Sequence, residues 1–312
     1  MIANIIALFA LNTAPLSAQK PIVIPGGAGH FDFMNIDAKN HLVLACHPGK
    51  SALAVLDITT GKTRDISIGT EVNGVSVDSA KHMLYAAGPG NKLVAINSKT
   101  MEVTGALPLD GPGDCVQFDH KRGVVYIDND DGTHLWIVDA KTLKLTGTVA
   151  IKEAPEYMEL DNGKGLIFQA IKSTSTVQVI DCDAKKVTRE YTLGLLTSPH
   201  GLVLDDKVRR LFVVGKNGKL AILNADSGKL LSTVGVVTGS DQIAYDQGNQ
   251  RVYIPAGGAL QVIQITGNKG KVLGSVPVAK DCRRVTVNQT THDVYVAFSE
   301  GNDSFFQIFT AN

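Results

Sequence analysis

The sequence predicts an all-β ring of seven four-stranded antiparallel blades, a β-propeller, and three observations carry that expectation. An apolar strand pattern closes seven times on an acidic or amide residue, at Asp37, Asp78, Asp119, Asp161, Asp205, Asp246 and Asn288, with spacings of 41, 41, 42, 44, 41 and 42. A unit of that size cannot bury a core alone, so like units must stack, and this period is that of propeller blades. Each unit also divides in the same way: GVSVD (74–78), HMLYAAG (82–88), KLVAINSKT (92–100) and EVTGALPL (102–109) read as four short strands separated by polar turns. Finally, no stretch sustains a helical period.

The succession recurs through the chain. GVVYID, HLWIVDA and LKLTGTVAI repeat it in the third unit, and RLFVVG, KLAILNADSGK and LLSTVGV in the fifth. After Asn288 the last unit supplies HDVYVAFS (292–299) and SFFQIFTA (304–311) and stops one strand short. The segment KPIVIPGG (20–27) belongs to no complete blade, so it is expected to complete blade seven and close the ring without an open sheet edge. Residues 20–312 therefore read as one propeller domain, with no Pro/Ser-rich linker to divide it.

Thirty basic and thirty acidic residues leave no net charge, and no Lys/Arg cluster appears. That balance argues against a nucleic-acid partner, which requires an excess of positive charge on one face. Residues 1–19 differ in kind: an apolar stretch from Ile5 to Leu11 leads to a small-residue exit at Ser17 and Ala18, but no Lys or Arg precedes it. The segment reads as an export signal or a disordered tail, and its apolar run is too short to span a membrane. The expected location is periplasmic or extracellular, and the expected state a monomer. Four cysteines suit such a protein; Cys46 and Cys282, near one end of adjacent blades, are placed to bridge, whereas all four also suit buried free thiols.

The period doubles as a coordinate system for the site. Five residues before each closing residue stand Asp32, Asn73, Asp114, Glu156, His200, Asp241 and Arg283, every one polar. Positions three and one before it are almost wholly apolar, as in Met34 and Ile36 or Val75 and Val77, so polarity is confined to one mouth of the central channel. Carboxylates converging there should repel unless a cation, a shared proton or the arginine compensates, and repulsion of that kind raises carboxyl pKa values toward neutrality. The expected catalytic set is Glu156, His200, Asp114 and Arg283. Ligand contacts are assigned to Asp32, Asn73, Asp241, His30, His47 and Arg284. Asp114, Glu156 and Asp241 offer oxygen ligands for Ca²⁺ or Mg²⁺, and His200 would suit Zn²⁺. Equally, polar residues at a wet mouth need only be solvated.

His41, His82, His120 and His292 fall in the turn after the inner strand, away from that mouth, whereas His30, His47, His134 and His200 map toward it. GGAGH (26–30) opens a strand rather than a helix and so reads as a turn, not a phosphate loop. No G-x-S-x-G surrounds Ser198 or His200. Trp136 is expected to pack within its blade.

The phrases VYID, LFVVG, VYIPA and VYVAF, followed by LDITTGK (56–62) and NADSGK (224–229), resemble the YVTN-type, YncE-like seven-bladed propellers of bacteria, as do IPGGAGHFDFMNID and SPHGLVLD. The resemblance covers nearly the whole chain after residue 20, and its motifs specify blades rather than chemistry. It implies an exported propeller, and the wider superfamily includes metal-dependent lactonases and lyases that work at the funnel. Two functions follow as expectations: capture of a small polar molecule or a partner's loop at the funnel, or a lactonase-like hydrolase, lyase or isomerase using a divalent metal or a raised-pKa carboxylate.

Overall fold

Each closing residue ends its inner strand because its side chain builds the turn that follows. In the computed structural model, which describes residues 14–312 apart from Asp131, the side-chain oxygens of Asp37, Asp78, Asp119, Asp161, Asp205, Asp246 and Asn288 each accept the backbone N–H three residues on, at 3.1, 3.2, 3.0, 3.0, 3.4, 3.1 and 3.3 Å. These are Asx turns, in which an acid or amide side chain replaces a backbone acceptor. The residue after the captured N–H is left-handed in every blade: His41, His82, Gly123, Gly165, Arg209, Gln250 and His292 have φ between 53° and 66°. The recurring histidines therefore mark a turn position.

The strands form seven antiparallel sheets. Six follow the four-strand succession read in the sequence, for instance Pro155–Asp161, Leu166–Ile171, Thr176–Asp181 and Lys186–Thr192 in blade four. The seventh is completed from the other end of the chain. Ile22–Ile24 pairs with Asp303–Ala311, as expected of residues 20–27, and Leu16–Ala18 pairs with the same strand further along. The outermost position of blade seven is thus filled by two short pieces. Ser17 and Ala18, the small-residue exit of the expected signal, lie within this sheet, and Leu16 is buried. The apolar run Ile5–Leu11 lies outside the described residues.

Alternating side chains bury one face of each blade against the next. Among the described residues the core divides into seven clusters, one in each interface between neighbouring blades. Ile24, Phe31, Val43, Tyr295 and Phe306 fill the interface between blades seven and one. Trp136 is buried in the interface of blades two and three and donates its indole N–H to Asp110, 2.8 Å away. All four cysteines are buried free thiols. Cys46 packs between blades one and two and Cys282 between blades six and seven, so of the two alternatives the free buried thiols are found and not the bridge.

Residues 14–18 are tied down beyond their ladder: Asn312 donates to the Ala14 carbonyl at 2.7 Å, Ser17 donates to Asn312 at 2.9 Å, and Arg251 donates to the Asn312 carbonyl at 3.0 Å. Burial of Leu16 and this short ladder together stabilise closure by about 2–3 kcal/mol. A chain beginning at Gln19 is expected to melt about 4 °C lower than one beginning at Ala14. An unchanged melting temperature in calorimetry would show that the segment plays no part in closing the ring.

Candidate functional site

Six of the seven residues counted back from the closing positions meet at one mouth of the channel. Asp32, Asn73, Asp114, Glu156, His200 and Asp241 line a cavity of about 200 Å³ together with Phe33, Asp130, Lys172 and Arg284. In blades three, four and five the inner strand slips register just where this residue stands, between Gly113 and Val116, Pro155 and Met158, and Pro199 and Leu202. Such bulges re-aim a side chain, here Asp114, Glu156 and His200. The strands run close together at this level: a Cβ on Gly74 would lie 2.2 Å from the Asp114 carbonyl oxygen.

The seventh position departs from the count. Arg283 is exposed and offers only its carbonyl, which accepts from the backbone N–H groups of Asp241 and Gln242, while Arg284 turns into the cavity and is buried. Blade seven has a short inner strand, Val285–Val287, entered through a turn at Lys280–Asp281 and without the extended, bulged approach of blades three to five. His47 also lies outside the cavity: it is fully buried, stacked on Phe31 with ring centroids 4.3 Å apart, and its Nδ1 is 2.9 Å from Asp65. His30 is largely exposed on the rim, 3.8 Å from Asp32. His134 packs edge-on against Trp136 and sits 3.9 Å from Asp110.

Counter-charges relieve the expected repulsion. Arg284 bridges Asp32 at 3.2 Å and Asp241 at 3.1 Å, Lys216 pairs with Asp241, and Lys172 sits 2.6 Å from Glu156 and 3.6 Å from Asp130. Sequence reasoning missed Asp130, Lys172 and Lys216, although the period held the signal. They stand eleven residues after Asp119, Asp161 and Asp205, immediately beyond the second strand. Among the described residues, Asp114 has no ion pair within 4.0 Å; its partner is the Asn73 amide, which donates at 3.0 Å.

These surroundings set the protonation states. Burial pushes the Asp114 carboxyl well above the usual range, and Asp128, Asp32 and Glu156 add to the effect. Glu156 is raised to about 7 chiefly by burial, which outweighs the opposing Lys172, with Asp241 and Asp130 adding to the rise. Burial opposes ionisation of Asp241 too, but Arg284 and Lys216 prevail and hold its carboxyl below the usual range. His200 is lowered to about 4 by burial and by Lys216. Its Nδ1 donates to the Ser198 carbonyl at 2.9 Å, so in the neutral ring the unprotonated Nε2 faces Glu156, 3.6 Å away. A carboxyl that titrates near neutrality and a neutral imidazole thus stand side by side.

The donor set fits a metal poorly. Of the three expected ligands, Glu156 and Asp241 are occupied by ammonium and guanidinium groups, and among the described residues no three His, Cys, Asp or Glu side chains are arranged to hold an ion. Beneath the cavity, side chains narrow the channel. Phe33 meets Tyr157 edge-on at 5.1 Å, and the Gln242 amide makes paired hydrogen bonds to the Met34 backbone, accepting at 2.9 Å and donating at 2.8 Å. Around these side chains about 10 Å³ remains beside Phe33 and Tyr157 and about 130 Å³ beside Met34, Tyr157 and Gln242, so the channel narrows beneath the funnel.

No protein-family model and no curated protein matches the chain. Solved structures do match. The β-propeller domain of Cps50 (Swd1) from Myceliophteria thermophila superposes with a TM-score of 0.77 at 11% identity, covering 96% of this chain and 100% of that one. Hydrazine synthase from Kuenenia stuttgartiensis matches with a TM-score of 0.77 at 10% identity, over 89% and 94% of the two chains. At these identities the likeness is one of fold alone.

Opposite shifts at Glu156 and His200 give a stability signature. Between pH 4.5 and about 7 the folded state holds a proton on Glu156 that the unfolded chain releases, so this group lowers stability as pH rises. Between about 4 and 6.5 the unfolded chain holds a proton on His200 that the folded state lacks, so this group raises stability as pH rises. The two effects oppose one another where their windows overlap. In urea unfolding across pH 4.5–7.5, Glu156→Gln is expected to steepen the gain of stability toward pH 6.5, and His200→Gln to leave a fall toward pH 7. Parallel profiles for wild type and both variants would contradict these assignments.

Proposed function

We propose that the protein is an exported β-propeller that captures a small polar molecule in the funnel, through groups of both charge signs. The observation that carries this reading is Asp114: a buried carboxyl bordering the cavity whose only described partner is an amide, while every other acidic group lining the cavity has a cation or His beside it. A ligand ammonium or hydroxyl hydrogen-bonding to Asp114 would supply the missing donor. Lys172 and Arg284 are then available to an anionic or carbonyl oxygen on the same ligand. A volume of about 200 Å³ accommodates a molecule of amino-acid or hydroxy-acid size, not several residues of a partner's loop. Export rests on the apolar Ile5–Leu11 run and on the YVTN-type blade phrases of the sequence. Among the described residues no helix is long and apolar enough to cross a membrane.

A second reading rests on one observation, the carboxyl of Glu156 titrating at about 7 beside the free Nε2 of His200. That pair has the properties of a general acid and base at neutral pH, as a hydrolase, lyase or isomerase would need, with Arg284 placed to stabilise an anionic intermediate. No step in it requires a metal.

Calorimetric titration with a panel of amino acids, hydroxy acids and small lactones tests both readings. The expected result is saturable binding, weakened about 10- to 100-fold in Asp114→Asn through loss of a charged hydrogen bond. Prior dialysis against EDTA is expected to leave the affinity unchanged. Binding that survives Asp114→Asn and Lys172→Met together would place the ligand elsewhere. Catalysis predicts turnover of a panel member with an apparent pKa near 7 that disappears in Glu156→Gln; absence of turnover with intact binding leaves the binding reading alone.

A further inference from the structure

The opposite mouth of the channel holds a larger cavity, of about 440 Å³, between the closing ends of the inner strands of blades one to four. Its wall is built from a second register of the same period. Asn35, Ser76 and Gln117 stand two residues before Asp37, Asp78 and Asp119. Each stitches its blade to the next: Asn35 donates to the Val75 carbonyl at 3.0 Å, Ser76 accepts from the Phe118 N–H at 2.8 Å, and Gln117 donates to the Met158 carbonyl at 3.0 Å.

Stitching does not exhaust these groups. One amide N–H remains on Asn35, together with the hydroxyl proton of Ser76, while the Gln117 amide also faces the Tyr157 hydroxyl. Asn162, on the same wall, has a buried side-chain carbonyl with no partner among the described residues. A buried polar atom left unmatched is costly, and a ligand hydroxyl supplies the donor it lacks. Ile36, Val77 and Phe118 add apolar surface.

The electrostatics select the ligand class. No Lys or Arg lines this cavity, and its acid, Asp78, is buried, with Oδ1 capping its own turn and Oδ2 3.7 Å from Lys81. His120 is the other titratable group on the wall. An anion meets no fixed positive charge here, and Asp78 Oδ2, buried without a hydrogen-bond partner among the described residues but with its charge offset by Lys81, takes a neutral hydroxyl donor.

We propose that this mouth is a second binding site, separate from the funnel, for a neutral polyhydroxylated molecule of monosaccharide or disaccharide size. Hydroxyl groups both donate and accept, which matches a wall of amides and a hydroxyl, while the sugar's C–H faces rest on the apolar side chains. The waist narrowed by Phe33, Tyr157 and Gln242 lies between the two sites, so each is expected to bind independently of the other.

The test is a titration of ¹⁵N-labelled protein with glucose, galactose, mannose, maltose, cellobiose and sucrose, with citrate and spermidine as charged controls. Saturable shifts of the Asn35 and Gln117 side-chain amides are expected with at least one sugar and with neither control. Ala80→Trp, which fills the cavity from an exposed turn, is expected to weaken binding about tenfold or more. Asn162→Ala, which removes the unmatched carbonyl without breaking a hydrogen bond, is expected to weaken it at unchanged melting temperature. Asp114→Asn in the funnel is expected to have no effect. The proposal is overturned by the absence of saturable shifts with every sugar, by shifts that persist in both cavity variants, or by citrate or spermidine producing the same shifts.

Discussion

The Asx turn at the end of every inner strand is the constraint on which the remaining architecture depends. A buried carboxylate or amide takes a backbone N–H from the turn it precedes, and in doing so fixes where the inner strand ends and the second strand begins. Several of these groups also reach their neighbours. Ser79 donates to Asp37 at 2.7 Å, Arg209 bridges Asp161 at 2.7 Å, and Tyr245 donates to Asp205 at 2.8 Å, so one residue both ends a strand and sets its blade against the next. Such a group is tolerated in the interior because hydrogen bonds offset its loss of hydration.

Once the turn fixes register, positions along the inner strand acquire fixed destinations. Three residues before the closing position the side chain is buried in every blade, from Met34 and Val75 to Ile243 and Val285. Two before it, Asn35, Ser76 and Gln117 face the mouth at the closing end. Five before it, six blades deliver a polar group to the funnel. The two mouths accordingly differ in chemistry. The funnel interleaves carboxylates with Arg284, Lys172 and Lys216, whereas blades one to three line the far mouth with amides and a hydroxyl.

The funnel also shows why a ring of acids need not repel itself apart. Arg284 holds two of the acids, Lys172 two, and the carboxyl of Asp114, which has no cation beside it among the described residues, is pushed well above the usual range by burial and by its acidic neighbours. The outcome is a small cup with fixed charges of both signs and two groups, Glu156 and His200, driven in opposite directions by the same burial. Desolvation disfavours whichever form is charged, so it lifts a carboxyl and depresses an imidazole.

Spacing alone was sufficient to number the blades, place Asp32, Asn73, Asp114, Glu156, His200 and Asp241 on one mouth and send the turn histidines to the other. These are properties of a repeated unit, and a repeat fixes equivalent residues in equivalent places. Lys172 and Lys216 obey the same rule and were legible eleven residues beyond the closing position, but their neighbours at that position are Pro48, Pro89, Gly257 and Ser299, so no shared chemistry marked it. Only the tertiary structure decided the rest. Arg284 rather than Arg283 enters the funnel, although Arg283 stands at the counted position. His47 is withdrawn onto Phe31 and Asp65, Cys46 and Cys282 are directed into separate interfaces, and Leu16–Ala18 joins the closing sheet. Each of these depends on contacts between residues far apart in the chain, which a period of about 42 residues positions but does not by itself choose.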